Sequence, residues 1–186
     1  LDARSGQILW QAQGVGGGGL LGGASPAVDG QLAVIPFASG ERNGLSFGRA
    51  ASGDLDGDGD PDLILPVFST SDFLSDQPNL VFINNAGVFS DDPLRLPAIA
   101  DGADYTLSAV VADFTGDGRN DVFFGEAQMQ SRLLVADAQG AFVDETSGGP
   151  GGIPRIPDTS ALRAYHSEAA DLDNDGDLDI VILCDA

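Results

Sequence analysis

The sequence predicts an all-β chain assembled from repeated four-stranded antiparallel sheets, and three observations predict it. An acidic stretch, "ASGDLDGDGDPDLILP" (51–66), returns as "VVADFTGDGRNDVFFG" (110–125) and again as "EAADLDNDGDLDIVIL" (168–183). Each return runs straight into a short, β-prone apolar segment, "LILPVF", "VFFG" or "IVIL". Behind the first two lies a strand–turn–strand pattern, "NLVFINNAGVFSDD" (79–92) and "RLLVADAQGAFVDET" (132–146), with turns at "NNAG" and "DAQG". Self-similarity at a fixed period marks a repeat architecture.

Taken in order, residues 1–46 hold two short strand-like runs, "GQILWQ" and "QLAVIPF", separated by the Gly-rich linker or loop "GVGGGGLLGG". The repeats then occupy 47–186, as units of about 47–104, 105–162 and an incomplete 163–186. The acidic loops begin at Asp54, Asp113 and Asp171, so the period is 59 and then 58 residues. Each loop is preceded by small residues, "RAASG", "SAVVA" or "SEAA", which suit a strand packed closely against neighbouring copies. The apolar runs read as short buried strands. Four strands per unit of this length describe the blade of a β-propeller, which closes with about four to eight blades. Three units are too few, so the expectation is a part of a larger propeller, an assembly of several chains, or completion of a blade by residues 1–46.

Composition narrows the function. The net charge is −21 and all eight basic residues are Arg. Nucleic acid is disfavoured, because its phosphates need cationic contacts. No apolar run reaches the length of a membrane span. Asp outnumbers Glu by 25 to 4, and Asp is the turn former of the two, so the acidity is placed in loops. The single Cys184 excludes an intrachain disulfide and, within "DIVILCD", reads as a buried core thiol.

The loops pose an electrostatic problem. Asp54, Asp56, Asp58, Asp60 and Asp62 crowd into nine residues with no Lys or Arg among them. Two unit charges about 4 Å apart repel by roughly 4 kcal/mol at an effective dielectric of ~20. A bound cation resolves this. Calcium takes six to eight oxygens in a flexible cage. Side chains at loop positions one, three, five and nine, with a carbonyl at position seven, can supply most of them. Gly59, Gly118 and Gly176 stand at position six, where a sharp turn needs φ > 0. The helix–loop–helix calcium hand shares the opening of this pattern but requires Glu at position twelve. Leu65, Phe124 and Ile182 stand there instead, so that motif is rejected.

With Phe47-Gly48, the loops "DLDGDGDPD", "DFTGDGRND" and "DLDNDGDLD", and the hairpin "LVFINNAGVF", the chain resembles the FG-GAP and VCBS repeats of integrin α-subunit propellers and bacterial surface proteins. The resemblance covers about residues 47–186, although units two and three lack the Phe-Gly pair. It implies about three calcium ions. The first would be held by Asp54, Asp56, Asp58, Asp60 and Asp62. The second would be held by Asp113, Thr115, Asp117, Arg119 and Asp121, and the third by Asp171, Asp173, Asp175, Asp177 and Asp179. Asp60, Arg119 and Asp177 would act through their carbonyls. Thr115 removes a carboxylate, so the second site is expected to be the weakest. Separately, "LDARSGQILW" resembles the tail of a quinoprotein-type propeller repeat, a plain hairpin being the simpler reading.

No catalytic constellation is expected. There is no G-x-S-x-G elbow, no zinc-type Cys/His cluster, and the Gly-rich run lacks the Lys of a phosphate loop. The first guess for a ligand site is His166, Glu168 and Arg49. His166 is the sole histidine, Glu168 shares its side of a strand, and Arg49 and Ser108 occupy the positions equivalent to His166. The expected function is an extracellular or cell-surface structural or adhesive module, stabilised by calcium, with other protein chains (self-assembly among them) or glycans as partners. A carbohydrate-binding propeller is the alternative, and a polysaccharide-degrading enzyme stands behind it.

Overall fold

The computed structural model describes residues 27–29, 32–34, 45–69, 78–97, 105–149 and 155–185. It is all-β, and the first two units form four-stranded antiparallel sheets. "GQILWQ", the Gly-rich stretch and the quinoprotein-like segment lie outside the described residues. Within "QLAVIPF", Leu32–Val34 (β2) is a strand that pairs with Ala27–Asp29 (β1).

Unit one opens with Leu45–Phe47 (β3) and Ala51–Gly53 (β4), and returns as Asp62–Leu65 (β5) and Val67–Ser69 (β6). These are two long strands, each broken at one level. Pro66 has no N–H for a ladder, while Gly48 donates to the Pro66 carbonyl at 2.9 Å. The sheet continues through Leu80–Asn85 (β7) and Val88–Asp91 (β8), in the order β4-β5-β7-β8. The β7–β8 turn consists of Ala86 and Gly87, with φ of 51° and 88°. A two-residue hairpin turn of the primed kind needs positive φ at both places. Unit two is the meander Thr106–Ala112 (β9), Asp121–Glu126 (β10), Arg132–Ala136 (β11) and Phe142–Asp144 (β12). Unit three is described as Arg163–Ala170 (β13) and Asp179–Asp185 (β14), paired antiparallel.

The inner strands β4, β9 and β13 lie side by side. Arg49 donates its N–H to the Leu107 carbonyl at 2.8 Å, and Arg49 and Ser108 form a parallel bridge. The small residues ahead of each loop explain the close approach. A Cβ on Gly48 would overlap the Leu107 carbonyl, and one on Gly53 would overlap the Val111 side chain.

Each seam between units is an apolar core. Ile64, Val81 and Ile83 of unit one pack with Val122, Phe124 and Leu134 of unit two. Phe123 and Leu133, on the other face of unit two, pack with Ile180 and Ile182 of unit three. A buried polar relay crosses the first seam. Asn79 accepts from the Val67 N–H (2.8 Å) and donates to Thr106 Oγ1 (2.9 Å), which donates to Glu126 Oε1 at 3.1 Å. Glu126, 1% exposed, also lies 3.6 Å from Arg132 Nε, and that guanidinium sits over the Phe124 ring.

Two expectations fail in unit three. Cys184 is exposed, not a core thiol. The run behind the third loop is not a buried strand either, since Val181 and Leu183 are 42% and 64% exposed. Val181 and Leu183 lie on the face of β14 turned away from unit two, opposite Ile180 and Ile182, and β14 pairs with β13 alone among the described residues.

Candidate metal centre

The three acidic loops join the inner strand of each unit to the next strand, β4 to β5, β9 to β10 and β13 to β14. They share one hydrogen-bond scheme. The first-position carboxylate folds the loop around itself. Asp54 accepts the N–H of Gly57 (2.7 Å) and of Gly59 (2.9 Å). Asp113 accepts those of Asp117 (3.1 Å) and Gly118 (2.8 Å), and Asp171 those of Asn174 (2.7 Å) and Gly176 (3.1 Å). The fifth-position carboxylates, Asp58, Asp117 and Asp175, accept the N–H of Asp60, Arg119 and Asp177 at 2.8–3.0 Å. At position three, Asp56 and Asp173 accept the N–H of Asp58 and Asp175, both at 3.2 Å.

The ninth-position aspartates anchor the loop. Asp62 accepts from Leu55 N–H at 2.7 Å and from Asn84 N–H, on β7, at 2.8 Å. Asp121 accepts from Phe114 N–H and from Ala136 N–H, on β11, both at 3.0 Å. Both carboxyls are buried. Burial pushes each above the ordinary carboxylate range, against the lowering effect of the two N–H donors, and the other loop aspartates push the same way. Asp179 keeps the contact to Leu172 N–H (3.0 Å) but is exposed. Neighbouring structure holds the loops too. Asp60 accepts the Ala86 N–H of the β7–β8 turn at 2.7 Å, and Asn120 donates to the Asp54 carbonyl at 3.0 Å, joining loops one and two.

Two groups of oxygens are close enough to share an ion. Asp54, Asp56 and Asp58 each offer a carboxylate oxygen within 4.8 Å of the others, and so do Asp171, Asp173 and Asp179. Two oxygens on one calcium, at about 2.3–2.6 Å each, can be no more than roughly 5 Å apart. All donors are hard oxygens, as calcium or magnesium requires, with none of the nitrogen or sulfur that zinc favours. The carboxylates already used by N–H donors keep lone pairs, since an ionised carboxylate accepts about four contacts.

The middle loop forms no such trio among the described residues. Its third position is a hydroxyl, with Thr115 Oγ1 3.5 Å from Asp113, and the Arg119 guanidinium pairs with Asp117 while donating to the Ala136 carbonyl at 3.2 Å. Asp62 and Asp121 stand apart from the clusters, as the loop's internal anchors. Sequence reasoning missed position four. Gly57, Gly116 and Asn174 have φ of 81°, 71° and 63°. The signal was present, because Gly and Asn are the residues that tolerate this conformation.

His166, Glu168 and Arg49 do converge. His166 Nε2 lies 2.8 Å from Glu168 Oε1, and Arg49 Nη2 lies 3.9 Å from the same oxygen. They bridge units one and three across buried Ser108, whose hydroxyl meets Ser167 Oγ at 2.9 Å and the Ala164 carbonyl at 3.0 Å. Glu168 is well exposed, so water and salt screen its ion pair.

The model of a family described as an FG-GAP-like repeat matches residues 54–124 and, a second time, residues 113–182. Each match runs from one acidic loop through the apolar strand behind the next. No curated protein matches the chain.

Proposed function

Because the chain belongs to the family of FG-GAP-like repeats, we propose that it is a calcium-binding module of the propeller type, in which cations lock the loop corners of successive units. The observation that carries this reading is the pair of convergent carboxylate groups, Asp54/Asp56/Asp58 and Asp171/Asp173/Asp179. Each sits where an inner strand turns into the next, so a cation there fixes the start of two strands at once. It also offsets the mutual repulsion of the loop aspartates.

The ion is structural in this reading, and the module binds without catalysing. Extracellular placement suits it, because loops of modest affinity stay filled where calcium is abundant. We propose other chains or glycans at a cell surface as its partners.

Calorimetric titration of the chelator-treated chain with calcium tests the reading. Binding heat is expected, with a raised unfolding midpoint that corresponds to a stabilisation of about 2.7 kcal/mol per site when free calcium is about a hundred times Kd. Asp54→Asn with Asp58→Asn removes the first loop's share. A chain whose midpoint is the same in calcium and in chelator would end the proposal.

A further inference from the structure

Three side chains that the calcium reading leaves unused meet on the inner strands. Arg49 lies just before β4, and its backbone is tied to β9 by the bridge to Ser108. β9 is tied in turn to β13, because Ser108 Oγ meets Ser167 Oγ and the Ala164 carbonyl. β13 carries one extra residue, Tyr165, between its pairings of Ala164 with Cys184 and of His166 with Leu183. Such a bulge re-aims the side chains that follow it. Ala164 and Ser167 both face unit two. His166 and Glu168, two residues apart, share the other side of the strand.

The chain's own carboxylate occupies the meeting point, and it fits poorly. Glu168 Oε1 lies 2.8 Å from His166 Nε2 but 3.9 Å from Arg49 Nη2. The second distance is outside hydrogen-bond range. A guanidinium is best matched by a carboxylate that accepts two parallel N–H bonds, one on each oxygen. Glu168, anchored on β13, presents one oxygen to both partners. Among the described residues Arg49 pairs with no other carboxylate. The Arg49 side chain is 29% exposed and that of His166 25%, whereas that of Glu168 is 63% exposed. Two largely covered groups therefore face a carboxylate that is free to leave. His166 Nδ1 is buried without a partner, which leaves Nε2 as the edge of the ring that meets a ligand.

We infer that Arg49 and His166 form a binding site for a small organic carboxylate, with Glu168 as its internal stand-in. The ligand's two oxygens take the Arg49 fork, one of them also reaches His166 Nε2, and Glu168 swings into water. The acidic loops do not forbid an anion here. Asp171 is three residues past Glu168 and Asp54 five past Arg49, about 10–17 Å along a strand. That exceeds the Debye length of about 8 Å at physiological salt. The site is separate from the loops and does not rest on calcium.

His166 itself supplies the test. It is the sole histidine, so its ring protons give a single set of signals in nuclear magnetic resonance. The intact chain is titrated with sodium acetate at fixed pH and ionic strength, and in parallel with acetamide, sulfate and glucuronate. Saturable movement of the ring signals is expected with acetate, and none with acetamide, which has the same shape without the charge. Sulfate should bind more weakly than acetate. Glucuronate tighter than acetate would support the site as one for a sugar acid, and equal binding as one for a bare organic acid. Arg49→Gln should weaken acetate binding by about tenfold or more. Arg49→Lys, which keeps the charge but loses the fork, should weaken it by less. Glu168→Gln removes the stand-in and should tighten acetate binding by up to about fivefold, which a merely structural ion pair would not do. Backbone amide signals show that each variant is folded. The proposal is overturned if acetate moves no ring signal, if acetamide or sulfate matches it, or if Glu168→Gln weakens binding as Arg49→Gln does.

Discussion

Asp121 and Asp179 occupy the same place in successive loops and do different work. Asp121 is buried and holds two backbone N–H groups, Phe114 and Ala136, while Asp179 is exposed and holds one. A buried donor that loses its acceptor costs about 1–3 kcal/mol. Asp121→Ala is therefore expected to destabilise the chain by at least that amount and Asp179→Ala by clearly less. Denaturant midpoints taken in chelator check this, because metal affinity then plays no part. The middle loop offers a second residue-scale prediction. Thr115 leaves it one carboxylate short, and Arg119 neutralises Asp117. Thr115→Asp should tighten calcium binding at that loop alone, and a site-resolved titration would show the weakest of the binding events strengthened. An unchanged weakest event would rule the argument out. At this scale the sequence disclosed the loop aspartates and the sixth-position glycines, because charge and φ > 0 leave compositional marks. It did not disclose that the ninth position turns inward. Burial is decided by the hairpin packed over the loop, and that hairpin lies 15 to 22 residues further on.

Among elements, the inner strands set the spacing of the units. Gly48 and Gly53 lie where a Cβ would meet a neighbouring unit, whereas Gly57 has open space around it but φ of 81°. These are separate penalties. Gly53→Ala inserts a methyl group into a packed seam, an overpacking cost of about 1–3 kcal/mol. Gly48→Ala should cost more within or beyond that range, since the obstacle is the Leu107 backbone, which cannot rotate away. Gly57→Ala strains one exposed residue by roughly 1–2 kcal/mol. Thermal unfolding should show the largest loss for Gly48→Ala, a smaller one for Gly53→Ala and the smallest for Gly57→Ala. The Glu126–Arg132 pair belongs to this scale as well. Removing one member of a buried ion pair costs about 3–5 kcal/mol, whereas replacing both with apolar residues is often neutral. Arg132→Met should be worse than Arg132→Met combined with Glu126→Leu, the double variant still losing the acceptor of the Thr106 hydroxyl. The strands themselves were readable from sequence, because small residues, an acidic loop, an apolar run and a hairpin recur in fixed order. The exposure of Cys184 was not readable. The run "DIVILCD" resembles its two buried predecessors, and only the described partners of β14 reveal the difference.

For the whole molecule the governing quantity is a net charge of −21 on 186 residues, concentrated in three loops at equivalent corners of adjacent units. Loops one and two touch through Asn120 and the Asp54 carbonyl, so their charges act on one another as well as within each loop. Without metal, this repulsion opposes the folded state, which holds the carboxylates together, more than the unfolded chain, which lets them separate. Dissolved salt screens such repulsion over a Debye length of about 10 Å at 0.1 M and about 3 Å at 1 M. The metal-free chain should therefore gain stability as sodium chloride is raised. Bound calcium removes the same repulsion at its source, so the calcium-loaded chain should respond to sodium chloride much less. Unfolding midpoints at low and high sodium chloride, in calcium and in chelator, form a square whose two effects are less than additive if both act on the loop aspartates. Additive effects would place the cation elsewhere, and the loops would then owe their shape to the backbone hydrogen bonds alone.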